Sequence, residues 1–220
     1  MTVFRLVDDI FFPDPNLSNA DGLLAVDGDL SVERILLAYQ SGIFPWFERD
    51  DEILWWSPDP RLILRLNDFK ISKSLKRTLK SNKFTVKFDS CFTQVVESCS
   101  SIKRNGEHGT WITEGMKNAF INLYKVGIAH SVEIFENNTL VGGLYGLEIG
   151  KVFCGESMFH SVSDASKVAL YHLVELLKAN NFNFIDAQMP TDHLKSMGAI
   201  EISKKEFLEM LKDSTKPNSL

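Results

Sequence analysis

Asp186 and Gln188 lie two positions apart near the end of an apolar run, and strand alternation puts both side chains on one face. A carboxylate beside a carboxamide can hold an amine and help it lose a proton. Spacing alone favours a plainer role for Asp186, as the residue that ends a strand and caps the next loop. Glu156 follows Gly155 inside another strand-like run, where a glycine marks a bulge or the close approach of a ligand backbone. Its carboxylate suits an amine or a basic group; otherwise it is an ordinary surface charge. Trp46 beside Pro45 and Trp111 near Gly109 sit in loop-like settings, where an indole can stack on a nucleic-acid base for about 1–3 kcal/mol. Pinning two parts of the fold together is the competing role, and it suits Trp55 and Trp56 better. His193 could orient the loop after Gln188. His108, His130, His160 and His172 have no serine or cysteine partner in a nucleophile motif, so no covalent triad is expected.

These groups need a scaffold, and 220 residues with 44% hydrophobic content are enough for one large domain, or a medium domain plus a small one. The run Val3 to Phe12 is interrupted by Arg5, Asp8 and Asp9, and no apolar segment is long enough to span a bilayer, so a soluble, cytoplasmic protein is expected. Cys91, Cys99 and Cys154 lack metal-ligand spacing and are odd in number, which argues against a disulfide framework or a zinc site. The net charge of -5 is unevenly spread. Residues 1–60 are strongly acidic, whereas residues 61–90 carry Arg61, Arg65, Lys70, Lys73, Lys76, Arg77, Lys80, Lys83 and Lys87 against only Asp68 and Asp89. A local positive field can therefore exist on an acidic chain.

Along the chain, Ser31 caps a helix that Gly42 ends, and an aromatic, proline-rich stretch from Phe44 to Pro60 follows. A small domain of residues 1–61 and a larger one of residues 62–220 are expected. Ile71, Leu75 and Leu79 fall at helical spacing opposite Lys73, Lys76, Arg77 and Lys80, giving an amphipathic helix with a basic face. That stripe, with Lys83 beyond it, is spaced to follow a phosphate backbone, although most such stripes are only solvated faces. A helix from the Thr113 cap to about Tyr124 precedes three strands, His130–Phe135, Leu140–Leu147 and Val152–Met158, with turns at Asn137-Asn138 and at Glu148–Lys151. Asp164 then caps a helix to about Asn180, packed on both sides, before a strand at Phe182–Gln188. Ser203 and Glu206 form a capping box for a last helix through Leu211, and the tail from Thr215 is expected to be disordered. The meander, helix, strand and helix order is that of an α/β sheet like the one in the GNAT acyltransferases.

Several strings occur in a fixed order: Asp21-Gly22-Leu23-Leu24-Ala25, Gly28-Asp29-Leu30-Ser31, Gly42-Ile43-Phe44-Pro45-Trp46-Phe47 and Trp55-Trp56-Ser57-Pro58-Asp59-Pro60-Arg61. Further on come Gly109-Thr110-Trp111-Ile112-Thr113, Val141-Gly142-Gly143-Leu144-Tyr145-Gly146, Phe153-Cys154-Gly155-Glu156-Ser157-Met158-Phe159, Ala165-Ser166-Lys167 and Ile185-Asp186-Ala187-Gln188. Over nearly the whole chain this ordered set resembles the bacterial leucyl/phenylalanyl-tRNA–protein transferases. The resemblance implies a GNAT-like, mixed and largely antiparallel sheet flanked by helices, with a small N-terminal α+β domain. It implies a leucyltransferase that moves leucine or phenylalanine from leucyl-tRNA or phenylalanyl-tRNA to proteins beginning with arginine or lysine, marking them for N-end rule degradation. No cofactor or metal is expected, because the ester donor is already activated, and the chain is expected to be a monomer.

By the same resemblance Asp186 and Gln188 relay the attacking amine's proton, with the tRNA hydroxyl as an alternative acceptor, and Glu156 binds the acceptor. Trp46 and Trp111 stack on the terminal adenosine, while Leu144, Phe153, Met158, Leu170, Leu173 and Ile185 line the aminoacyl side-chain pocket. The basic helix meets the acceptor stem. Ala187 stands where the family commonly has cysteine, and Leu144 and Leu173 replace bulkier or more flexible residues, changes that bear on pocket shape. An acetyl-CoA-dependent acetyltransferase would share the fold, but the segment Phe159–Asp164 lacks the glycines of a pyrophosphate loop. A non-catalytic tRNA-binding or N-terminus-reading module would leave the Asp186 and Gln188 pair without a purpose.

Overall fold

The computed structural model describes residues 3–101 and 111–216. Its first part is a four-stranded sheet of β1 (Phe4–Leu6), β2 (Leu23–Asp27), β3 (Phe44–Pro45) and β4 (Leu54–Trp56), in the order β1-β2-β4-β3. Helix α1 (Val32–Gln40) links β2 to β3. The Ser31 hydroxyl accepts from the Arg34 N–H at its start, and Gly42 follows its end at φ +76°, where a Cβ would strike Leu208 at 2.5 Å. Arg34 is fully buried; its guanidinium donates to the carbonyls of Val7, Asp8 and Asp9 and to Asp29, lashing the N-terminal segment to α1.

The second sheet has seven strands in the order β11-β5-β10-β9-β8-β7-β6. These are β5 (Arg61–Arg65), β6 (Thr85–Phe88), β7 (Ala129–Glu136), β8 (Thr139–Ile149), β9 (Val152–His160), β10 (Phe184–Gln188) and β11 (Ile200–Ile202). Within this sheet, among the described residues, only β9 and β10 pair in parallel, with α5 (Ala165–Ala179) as the crossover between them. The other helices are α2 (Lys73–Lys80), α3 (Phe92–Ser101), α4 (Glu114–Lys125), α6 (Asp192–Ser196) and α7 (Lys204–Ser214). One face of the sheet packs on α5 through Leu62, Leu64, Leu144, Phe153, Val168 and Leu173. The opposite face contributes Tyr145, Cys154 and Phe184 to a core shared with α3, α4, α7 and the four-stranded sheet. The architecture is the expected mixed α/β one, with a largely antiparallel sheet.

The three-strand meander forms as expected, with Asn137 and Asn138 at φ 50° and 64° and Gly150 at φ 61° in its turns. Strands β5, β6 and β11 and helices α3 and α6 lie outside the expected elements; most are short, β5 is buried from Arg61 to Leu64 and so shows no alternation, and β6 is mostly exposed. Over 165–174 no residue of α5 is exposed, as a helix packed on both sides requires.

Two capping expectations need correction. Asp164 adopts φ +66°, and its carboxylate turns away from the α5 N–H groups to pair with Lys167 at 2.9 Å and accept from the Thr78 hydroxyl. At α7 the Ser203 hydroxyl does cap Glu206 N–H, but the Glu206 carboxylate reaches Arg65 on β5 rather than closing a box. Helix α7 continues past Leu211 to Ser214, and the Thr215 N–H bonds the Leu211 carbonyl, so order extends into the expected tail. Ile71 precedes α2 and is 46% exposed, leaving Leu75 and Leu79 to hold that helix down. Gly109, Thr110 and His108 lie outside the described residues.

Candidate active site

Strands β9 and β10 stay paired only through Val152–Phe184, Phe153–Ile185 and Cys154–Asp186, after which β9 runs on to His160 and the two diverge. At the point of divergence β9 carries a bulge. Gly155 opposes Gly146 and Ser157 opposes Tyr145, leaving Glu156 as the extra residue aimed off the ladder. One of its oxygens accepts from the Tyr39 hydroxyl at 2.8 Å and from Gln188 Nε2 at 3.0 Å. No cation pairs with it among the described residues. Burial pushes its pKa up to about 8, and the nearby Asp186 charge adds to the rise, while the Tyr39 hydrogen bond, the Arg61 charge and the Gln188 hydrogen bond oppose it.

Asp186 lives in a different environment. It is 1% exposed, and its two oxygens take Arg61 Nε at 2.8 Å and Arg61 Nη2 at 2.7 Å, a bidentate clamp. Arg61 is equally buried, donates also to the Gly42 carbonyl at 3.1 Å, and lies between the rings of Phe44 and Phe207. Gln188 joins the group by another route than simple alternation. Its register against β5 slips at Ala187, and it sits at φ +55°, a conformation costing a non-glycine residue roughly 1–2 kcal/mol. Its N–H donates to Asp186 Oδ1 at 3.0 Å, which holds the side chain toward Glu156. Asp186, Gln188 and Glu156 are thus brought together, with Tyr39 and Arg61 added. Neither addition was foreseen: Tyr39 reads as a core position of α1, and Arg61 as one more cation in a basic run.

All six apolar pocket candidates gather on the α5 face. Leu144 faces Met158 across β8 and β9, Phe153 faces Ile185 across β9 and β10, and Leu170 and Leu173 descend from α5. Glycines make the room: a Cβ on Gly146 would lie 2.5 Å from the Phe153 ring. The acidic cluster belongs to the other face of the sheet, beside Cys154. A cavity of about 280 Å³ lies near the C-terminal end of α5, lined by Phe88, His130, Lys151, Leu177 and Phe182 among others. It shares only Phe153 and Leu173 with the six and contains none of the acidic cluster.

The remaining candidates are dispersed. Trp46 is 39% exposed, and its carbonyl accepts from Trp56 Nε1 at 2.7 Å, so Trp56 braces the Trp46 loop. Trp111 is half-buried against the core, and Trp55 is buried with its N–H on the Asp27 carbonyl. Lys73, Lys76, Arg77, Lys80 and Lys83 are all exposed on or just after α2, Lys83 pairing with Glu136 at 3.2 Å. His160 does approach a serine, Ser166, at 3.4 Å, but no hydrogen-bonded carboxylate orients that imidazole among the described residues. His193 is depressed by burial and by Lys167 and His160 nearby.

The family model for the leucyl/phenylalanyl-tRNA protein transferases matches residues 63–212, and that for their N-terminal domain matches residues 28–59. The chain belongs to this family. The leucyl/phenylalanyl-tRNA–protein transferase of Syntrophobacter fumaroxidans is 53% identical over 214 residues, covering 97% of this chain and 92% of the relative. That of Flavobacterium psychrophilum is 49% identical over 207 residues, covering 94% and 98%. Among solved structures FemX aligns with a TM-score of 0.45 at 10% identity, over 82% of this chain and 71% of that one. The chain is therefore a transferase of this family, and the described residues include no helix long and apolar enough to cross a membrane.

Proposed function

We propose that this chain transfers leucine or phenylalanine from its tRNA to the N-terminal amine of proteins beginning with arginine or lysine, in the cytoplasm. The observation that carries the reading is Glu156: a half-buried carboxyl with no paired cation among the described residues, held by Tyr39 and Gln188 beside the Asp186–Arg61 pair. The acceptor's ammonium supplies the missing cation. The pKa near 8 matches that of an α-amino group, about 7.7–8.0, so a proton can pass from the amine to Glu156 with little driving force either way. The amine then attacks the ester carbonyl, the C–N bond forms and the C–O bond to the terminal ribose breaks; a second N–H proton goes to the departing hydroxyl, and Glu156 releases the first to solvent.

In this scheme Gln188 touches both the acceptor and Glu156, and Asp186, clamped by Arg61, holds Gln188 in its left-handed conformation. Leu144, Phe153, Met158, Leu170, Leu173 and Ile185 receive the side chain of the transferred residue. Trp46 and Trp111 stack on the terminal adenosine, and α2 with Lys83 follows acceptor-stem phosphates. Residues 1–61 act as a small domain that packs on the larger one through a shared core, and its Tyr39 completes the site. Acetyl transfer from acetyl-CoA is disfavoured, because the segment Phe159–Asp164 ahead of α5 lacks the glycines that would cradle a pyrophosphate. Incubation with labelled leucyl-tRNA and a peptide beginning with arginine should label the peptide. A matched peptide beginning with glutamate, or acetyl-CoA as donor, should yield no product, and label on the glutamate peptide at equal rate would refute the specificity.

A further inference from the structure

The chain between Trp46 and β4 turns back on itself, with Glu52 N–H bonded to the Arg49 carbonyl at 3.1 Å. At the tip of this turn Asp50 reaches across to the start of α4. Its carboxylate accepts from the Thr113 hydroxyl and from the Gly115 N–H, the latter 3.2 Å from each oxygen. Thr113 is itself the α4 N-cap, accepting from Met116 N–H at 3.2 Å, and its own N–H bonds the Trp111 carbonyl at 3.1 Å. A carboxylate here satisfies a first-turn N–H and lies at the positive end of the helix dipole. Gly115 makes the approach possible: a Cβ at that position would fall 2.5 Å from Asp50 Oδ1.

Asp50 stands four residues after Trp46, and Thr113 two residues after Trp111. One side-chain tie therefore joins the two segments that carry these indoles, across 63 residues of sequence. The Trp46 end is braced separately by the Trp56 N–H. We propose that Asp50 is a positioning residue for aminoacyl-tRNA, a strap that sets the spacing of Trp46 and Trp111 and so preforms the slot for the terminal adenosine. This rests on the reading of those two tryptophans as the stacking walls. Without the strap the walls are no longer held in register, and the substrate must supply the ordering when it binds, so binding weakens and the chemical step does not. Asp50 is exposed, so its loss should leave global stability nearly unchanged.

The test compares leucine transfer by the full-length wild type with that by Asp50→Ala, Asp50→Asn and Gly115→Ala, with KM for leucyl-tRNA and kcat measured at saturating arginine peptide. Asp50→Ala should raise KM about tenfold at unchanged kcat, the order expected for losing one charge-assisted tie. Asp50→Asn keeps an acceptor oxygen and should restore most of the loss. Gly115→Ala pushes the carboxylate away while improving helix propensity, so it should raise KM with an equal or higher Tm, a combination that general loosening cannot produce. Trp46→Ala and Trp111→Ala separate the two ideas. If both tryptophan variants leave KM unaltered, the stacking reading fails and the strap falls with it. If Trp111→Ala raises KM while Asp50→Ala and Gly115→Ala stay within twofold of wild type, or act on kcat alone, the strap is refuted and the stacking reading stands.

Discussion

Glu156→Gln should make the protein more stable in alkaline solution and leave it unchanged in acid. Below about pH 4.5 the carboxyl is protonated in the folded and unfolded chains alike, and the variant differs little from wild type. Between 4.5 and about 8 the unfolded chain has released a proton that the folded chain retains, so folding becomes steadily less favourable as pH rises. Above about 8 the folded protein must bury the charge, and the penalty is complete. The interval from 4.5 to 8 corresponds to roughly 5 kcal/mol, and the partial exposure of Glu156 reduces this to about 2–4 kcal/mol. Glutamine keeps an oxygen for Tyr39 and Gln188 but carries no charge, so it escapes the penalty. Urea unfolding at pH 5 and pH 8.5 measures the effect: the two proteins should agree within about 0.5 kcal/mol at the lower pH, with the variant ahead by the stated amount at the higher. A difference that is the same at both values, or a less stable variant at pH 8.5, would refute the assignment of a raised pKa to this carboxyl. The same variant should transfer leucine slowly, since stability withheld at this position is what poises the carboxyl near the amine's own pKa.

Tyr39→Phe removes a hydrogen bond that favours ionised Glu156, so the alkaline rise in kcat should move to higher pH; an unmoved profile would separate Tyr39 from the proton transfer. Asp186→Asn leaves the buried Arg61 uncompensated and should cost about 3–5 kcal/mol of stability, with turnover falling more than binding of an uncleavable aminoacyl-adenosine, and normal turnover in the folded variant would remove Asp186 from the mechanism. Replacing both Lys76 and Arg77 by glutamate should weaken tRNA binding and flatten its dependence on log salt, and an unchanged slope would show that α2 meets no phosphate. Trp111→Ala should raise KM for aminoacyl-tRNA without loss of cooperative unfolding; loss of cooperativity instead would make Trp111 a core residue.

Local signals were sufficient for much of this protein. Ser31, Thr113 and Ser203 announce helix starts because a hydroxyl satisfies first-turn N–H groups wherever the chain is, and Asn137-Asn138 announces a hairpin because those residues tolerate positive φ. The order of the strings around Trp46, Glu156 and Asp186 was enough to recognise the family. Leu144 and Phe153, grouped with Leu170 and Leu173 by the resemblance, do lie together on the α5 face. What tertiary structure alone decided is the electrostatic character of the site. Arg61 and Asp186 are 125 residues apart, and Tyr39 and Glu156 are 117 apart, so no local pattern reveals that one carboxylate is clamped while the other pairs with no cation among the described residues. Asp164 makes the same point on a smaller scale, holding Lys167 and Thr78 instead of its own helix because α2 packs beside it. The charge state of a buried carboxyl depends on every group that folding places within a few ångströms, and that is a property of the packed chain rather than of any segment of it.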